Sequence, residues 1–230
     1  MAIRRLNPFL MMKMSELISM QALFRSLVVL LTFVSSVAWA QVSPESLIRS
    51  VSQGVLDEVK ADRTLQSGDL SRLNQLVDRR VMPHVNFARM TALAVGRNWR
   101  SATPEQQQQI MKEFRQLLLL TYADAVRQVS DTTIQVQPTR AKPEDTTVIV
   151  RTQVLRPGKE PIQLDYRMEK SGDTWKIFDL NVLGLWLVEH YRTQFAQVVG
   201  TSGIDGLIKS IQEKNQSLSS SVAAKRAASN

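Results

Sequence analysis

The stretch DYRMEKSGDTWKIFDLNVLGLWLVEHYRTQF, Asp165 to Phe195, reads as strand, turn, strand and then helix. Ile162, Leu164, Tyr166 and Met168 alternate with Gln163, Asp165, Arg167 and Glu169, the period of a strand with one covered and one wetter face. Ser171-Gly172-Asp173 has the composition of a tight turn. The next strand carries Trp175 and Ile177 on one face and Phe178, Leu180 and Val182 on the other, a pattern that suits burial on both sides. Beyond Gly184, Leu187, Val188, Tyr191, Phe195 and Val198 share one face of a helix. Trp186 stands at the joint, where a small capping residue is the usual choice, and lies roughly opposite that apolar face.

Further strands precede this unit. Residues 132–137 and 146–156 join 161–170 and 174–182 through connections containing Pro138, Pro143 and Pro157-Gly158, so the four strands form an antiparallel meander. Helices come earlier still. Ser43-Pro44-Glu45 is a helix start, with serine as cap and proline in the first turn. Leu70, Leu73, Leu76 and Val77 make the stripe of a second helix that Pro83 interrupts, and residues 85–95 form a third that ends at Gly96. Thr103-Pro104-Glu105-Gln106 opens a long helix with a capping box. Leu117 to Leu120 are four leucines in a row, so this helix is apolar all round and faces either packed protein or an apolar ligand. Two closing helices, 185–199 and 204–214, complete an α+β fold, and 217–230 is expected to be a disordered tail.

The 230 residues contain no cysteine and carry a formal charge of +8. Residues 1–40 read as a secretory signal: a basic n-region with Arg4, Arg5, Lys13 and Arg25, the apolar run 27–34, and Ala38-Trp39-Ala40 as cleavage site. Export then leaves one domain, 41–216, stable without disulfides in an oxidising compartment. Its surplus charge is dispersed, which argues against nucleic acid and leaves an anionic lipid, an acidic protein face or plain solvation.

Catalytic signatures are sparse. His84 and His190 have no partner at metal-ligand spacing, and there is neither a phosphate loop nor a nucleophile elbow. Asp165 and Asp179 are the carboxylates in the sheet that could serve as a base, and ordinary outward-facing carboxylates are the simpler reading. Apolar lining is plentiful. Met90, Met111, Leu118, Tyr122, Val150, Tyr166, Met168, Ile177, Leu185, Trp186, Val188 and Tyr191 are the candidate walls of an acyl-chain cavity, and methionine adapts well to irregular shapes.

Three blocks in order carry a family resemblance: VMPHVNFARMTALAVGRNWRSATPEQQQQIMKEFRQLLLLTYADAV, the Asp165–Phe195 stretch, and GIDGLIKSI. The chain resembles the MlaC or toluene-tolerance family of periplasmic phospholipid carriers. The resemblance implies a curved four-stranded sheet of NTF2-like type, with helices on one face and an added N-terminal helical part. It also implies a monomer without catalytic activity or cofactor, which holds phospholipid as cargo and shuttles it between an outer-membrane lipoprotein complex and an inner-membrane ABC transporter. Outer-membrane lipid asymmetry is what such a carrier maintains. Two alternatives remain: an NTF2-like enzyme using Asp165 or Asp179 on a small apolar substrate, and a ligand-free adaptor. The position of Trp186 is usually a small hydroxyl in the family, and losing that cap costs about 1 kcal/mol if nothing replaces it. Trp186 either plugs the cavity mouth or lies on a docking surface.

Overall fold

A computed structural model describes residues 42–127, 131–139, 141–142 and 144–228. The expected signal segment lies outside them. The chain begins with α1 (Pro44–Ala61), whose first turn is capped by the Ser43 hydroxyl, accepting from the Ser46 amide at 3.1 Å. A short α2 (Arg63–Gln66) and α3 (Leu70–Leu76) follow, with Asp62 and Asp69 as caps. The second helix then unwinds in a specific way. Val77–Val81 is a π turn and Met82–His84 a 3-10 turn, because Pro83 cannot supply an amide to a continuing α-helix. Asn86 caps α4 (Phe87–Val95), which ends at Gly96 with φ of 71°. The 3-10 turn Gly96–Ser101 leads to α5 (Pro104–Arg127). There the expected capping box is present: Gln106 Oε1 accepts from the Thr103 amide at 3.0 Å, and Thr103 Oγ1 accepts from the Gln106 amide at 3.2 Å.

The sheet is an open antiparallel meander in the order β1 (Thr133–Val136), β2 (Thr147–Arg156), β3 (Lys159–Ser171), β4 (Thr174–Val182) and β5 (Leu185–Trp186). The fold is α+β, with one strand more than the sequence pattern suggests. β5 is two residues long and follows a turn through Leu183 and Gly184, both at positive φ. Its brevity hides it from any alternation test. A bulge between β3 and β4 leaves Phe178 opposite no residue of β3. The free edge of β4 is covered by the 3-10 segment, where the Asn86 amide donates to the Ile177 carbonyl at 2.8 Å.

One long final helix, α6 (Leu187–Ala228), is broken at Gly203 (φ 69°, ψ −171°). The expected pair of closing helices is thus present as two limbs. The expected disordered tail is not: helix continues to Ala228, and Leu218 packs against the core, which gives the extension an apolar anchor. Three apolar clusters hold the fold. The largest joins α4, α5 and α6 around Phe114, whose ring meets Tyr191 and Phe195 edge-on at 4.8 and 5.3 Å. The second packs Leu47 and Ile48 of α1 on Val148, Val150, Met168 and Ile177 of the sheet. The third joins α1, α2, α3 and α5 through Val59, Leu65, Leu73, Leu76 and Ala123.

Candidate ligand cavity

Between these clusters lies a cavity of about 260 Å³. Leu118, Leu119 and Tyr122 reach it from α5, Phe87 and Met90 from α4, and Tyr166, Ile177 and Leu180 from the sheet. Leu187 closes one side, and Leu73, Val77, Val81, Met82 and Val85 make up the wall formed by α3 and the two irregular turns. This explains the leucine run: Leu117 and Leu120 are buried in packed protein, while Leu118 and Leu119 face the cavity.

The wall is nearly free of polar groups. The Tyr166 hydroxyl is occupied by the Ser52 and Thr152 side chains. Burial pushes that phenol up to about 12, so it stays neutral. Burial likewise raises the Tyr122 phenol. Arg115 is the one cation among the described lining residues. Its Nη2 meets Asp78 Oδ1 at 2.5 Å, and Asp78 is more than half exposed, so this ion pair marks where the cavity meets solvent.

Of the twelve residues singled out from sequence, Met90, Leu118, Tyr122, Tyr166 and Ile177 line this cavity. Val150 and Met168 are fully buried in the cluster beneath α1. Val188 and Tyr191 belong to the α4–α5–α6 core. Met111 is half-buried on α5 and does not line this cavity, and Leu185 is half-exposed at the β4–β5 hairpin. Trp186 is not at the cavity mouth. Its β5 position pairs with Asn181, which turns it to the opposite face of the sheet from Leu180. There the Arg167 guanidinium lies 3.9 Å over its ring. The cavity residues that sequence reasoning missed most completely are Val77, Val81 and Met82, whose π and 3-10 geometry breaks helical periodicity. The signal that could have marked them is Pro83 itself.

Asp165 and Asp179 also face away from the cavity, since their neighbours Tyr166 and Leu180 face into it. Neither is an outward-facing surface residue, contrary to the simpler sequence reading: they are 5% and 1% exposed. Asp179 has a structural occupation. Its Oδ1 accepts from the Leu180 and Val188 amides at 2.9 and 3.0 Å, and its Oδ2 from Arg167 Nη1 at 2.9 Å. Burial nevertheless raises its pKa, outweighing the hydrogen bonds and the Arg167 charge that lower it. Asp165 Oδ2 accepts from Gln163 Nε2 at 2.7 Å. Among the described residues, no group of His, Asp or Glu side chains is placed to hold a metal ion, and no helix is long and apolar enough to cross a membrane.

An α+β chain with an apolar cavity between a meander sheet and its helices can be compared with known proteins on both sequence and shape. The sequence pattern of the MlaC protein family matches residues 49–213. The chain belongs to the MlaC family. Among its members, the intermembrane phospholipid transport system binding protein MlaC of Haemophilus influenzae is 24% identical over 203 residues, 86% of this chain and 95% of that one. The toluene tolerance protein ttg2D of Pseudomonas putida is 26% identical over 182 residues, 79% of this chain and 84% of its own. A phospholipid-binding protein from Ralstonia solanacearum, solved in complex with a phospholipid, is 43% identical with a TM-score of 0.74, covering 76% of this chain and 98% of its own. The Haemophilus relative is named for binding and transport and the Ralstonia one for phospholipid binding, rather than for catalysis.

Proposed function

We propose that this protein is a periplasmic phospholipid carrier that holds acyl chains in the cavity between α4, α5 and the sheet. The observation that carries this reading is the nearly all-apolar cavity, set in a fold whose 43%-identical counterpart was solved with a phospholipid. Two acyl chains bring on the order of thirty methylenes, each worth about 0.8 kcal/mol on leaving water. A bilayer offers the same gain, so a carrier needs only to match it, and a smooth apolar wall does so without directional chemistry. The cavity's volume of about 260 Å³ falls just short of the range of ligand pockets, which starts at about 300 Å³. Loading two chains therefore requires widening. The wall made by Val77–Val81 and Met82–His84 is where the backbone is least regular and most able to yield. At the mouth, Arg115 is the cation available to a headgroup phosphate once Asp78 gives way.

The carrier is a monomer and works without a cofactor, its bound phospholipid being cargo. It moves between an outer-membrane lipoprotein complex and an inner-membrane ABC transporter, in the service of outer-membrane lipid asymmetry. Catalysis is disfavoured by the placement of the two candidate bases, which lie away from the cavity, with Asp179 committed to Arg167 and the start of α6. The experiment is organic extraction of the protein purified from the periplasm, followed by mass spectrometry. Phospholipid near equimolar ratio is expected in the wild type, and a folded Leu180→Trp variant with its cavity filled should be largely empty. A wild type that is reproducibly empty and transfers nothing between labelled vesicles would overturn the reading.

A further inference from the structure

On the far side of α4 from the cavity is a second recess of about 680 Å³, lined by Arg89, Arg97, Arg100, Arg192, Trp99 and Gly96 among others. No carboxylate lines it among the described residues. Two of its arginines are fixed by the fold. Arg89 lies 4.1 Å over the Phe178 ring and is paired with Glu169, so its charge is compensated. Arg192 donates from Nε to the Leu93 carbonyl at 2.9 Å, and its stem runs past Gly96. That bond leaves both of its terminal nitrogens for another partner. Arg97 and Arg100, exposed on the 3-10 turn Gly96–Ser101, meet no acid among the described residues. Three arginines therefore line one concavity without a counter-charge from the described residues that line it.

Like charges brought together repel, and an anion relieves the repulsion. Arginine in particular offers planar paired donors that match the oxygens of a phosphate. We propose that this recess is a second phosphate-binding site, separate from the cargo cavity, which takes an anionic phospholipid headgroup at a bilayer surface and so holds the carrier at the membrane during exchange. The proposal rests on reading the cavity as a phospholipid site, since only a lipid carrier has cause to settle there. Charge complementarity argues for the bilayer as occupant. So does Trp99, half-buried in the recess wall, because an indole beside cations suits the headgroup level of a membrane. The recess and the cavity share α4 as a common wall: Phe87 and Met90 face one, and Arg89, Ala92 and Leu93 face the other. A headgroup bound in the recess thus presses on the helix that bounds the cargo.

The test is co-sedimentation with vesicles of phosphatidylglycerol and, separately, of phosphatidylcholine, using wild type and Arg97→Gln/Arg100→Gln. Wild type should bind the anionic vesicles, progressively less as salt rises, and ignore the zwitterionic ones. Each arginine removed should weaken binding roughly five-fold, so the double variant should lose about twenty-five-fold. Its extracted phospholipid content should be unchanged, which separates this proposal from the cargo reading. Adding Arg192→Gln should weaken binding further, with circular dichroism confirming the fold. Equal binding of wild type and double variant, or none by either, would overturn the proposal. Two further arms identify rival sources. Tight capture of inorganic phosphate without vesicle binding would make this a site for a soluble anion, and preference for a hexaglutamate peptide over the vesicles would make it an acidic-protein dock. Either result would also overturn membrane docking.

Discussion

Trp186 occupies the place of a helix cap, and one of the two amides such a cap serves, that of Val188, is already satisfied. Asp179 reaches across from β4 to accept from the Val188 amide, and Arg167 neutralises that carboxylate while stacking on Trp186 and contacting Glu189 at 3.0 Å. Cap, counter-ion and ring form one assembly on the sheet face away from the cavity. Trp186→Ser should therefore not stabilise the protein. The new hydroxyl finds the Val188 amide taken and has only the Glu189 amide left to accept from, while the cation–π contact, worth about 1 kcal/mol, and its hold on Arg167 are lost. The midpoint of thermal unfolding should fall by roughly 2–4 °C, and the lipid content should stay the same. His84 gives a second residue-scale expectation. Burial, and then the charge of Lys176, hold its imidazole below the ordinary value of about 6.5. A depressed base contributes stability that is complete above the unfolded value and lost as pH falls through the folded one. Glu45 and Glu58, also depressed, act only in more acidic solution, and Asp179, raised, acts in the opposite direction. His84→Gln should accordingly flatten the loss of thermal stability between pH 7 and pH 5 relative to wild type.

At the scale of elements, legibility followed regularity. β3 and β4 could be read because their side chains alternate, and α5 because its capping box and apolar stripe agree. The π and 3-10 turns could not, since two changes of helical pitch within eight residues erase any period. The cavity wall they form was therefore missed, while its α5 and sheet walls were partly found. The choice between the two positions open to Trp186 could not be made for a related reason: in a two-residue strand a single register step decides the face, and nothing in the sequence sets that step. The break in α6 was only half legible, as a gap between two helical stripes. Gly203 there holds a conformation reserved for glycine, and a side chain at this position would meet no neighbour within 4 Å, so the cost of any other residue is purely in the backbone. Gly203→Ala should cost about 2 kcal/mol and lower the unfolding midpoint by roughly 4–8 °C. Thermal denaturation followed by circular dichroism reads this directly. The loss should appear although no contact is removed, because the two limbs that clamp α5 with Tyr191 and Phe195 on one side and Leu207 and Ile211 on the other can no longer meet at their native angle.

For the molecule as a whole, rigidity and yield are divided between layers. β2 and β3 pair along nearly their whole lengths, and the α4–α5–α6 core is anchored by interlocked aromatic rings, so neither can open without large loss. The remaining wall, from Val77 to Val85, is built of a π turn and a 3-10 turn and is pinned at points: Arg115 to Asp78 on one side, and Asn86 to Ile177 and Lys176 to the Pro83 carbonyl on the other. Cargo that occupies the cavity should order that wall and leave the sheet as it was, because a ligand stabilises what it touches. Delipidated and reloaded protein compared by hydrogen exchange should thus differ mainly in residues 77–87, slower when loaded, with β2 and β3 unchanged. Asp78→Asn, which removes the charge that holds Arg115 in the empty cavity, should speed exchange of the same segment in the delipidated protein and have a smaller effect once lipid is bound. Uniform slowing across sheet and helices would instead mean that the cavity opens by moving whole layers apart, and the π turn would lose its part in loading.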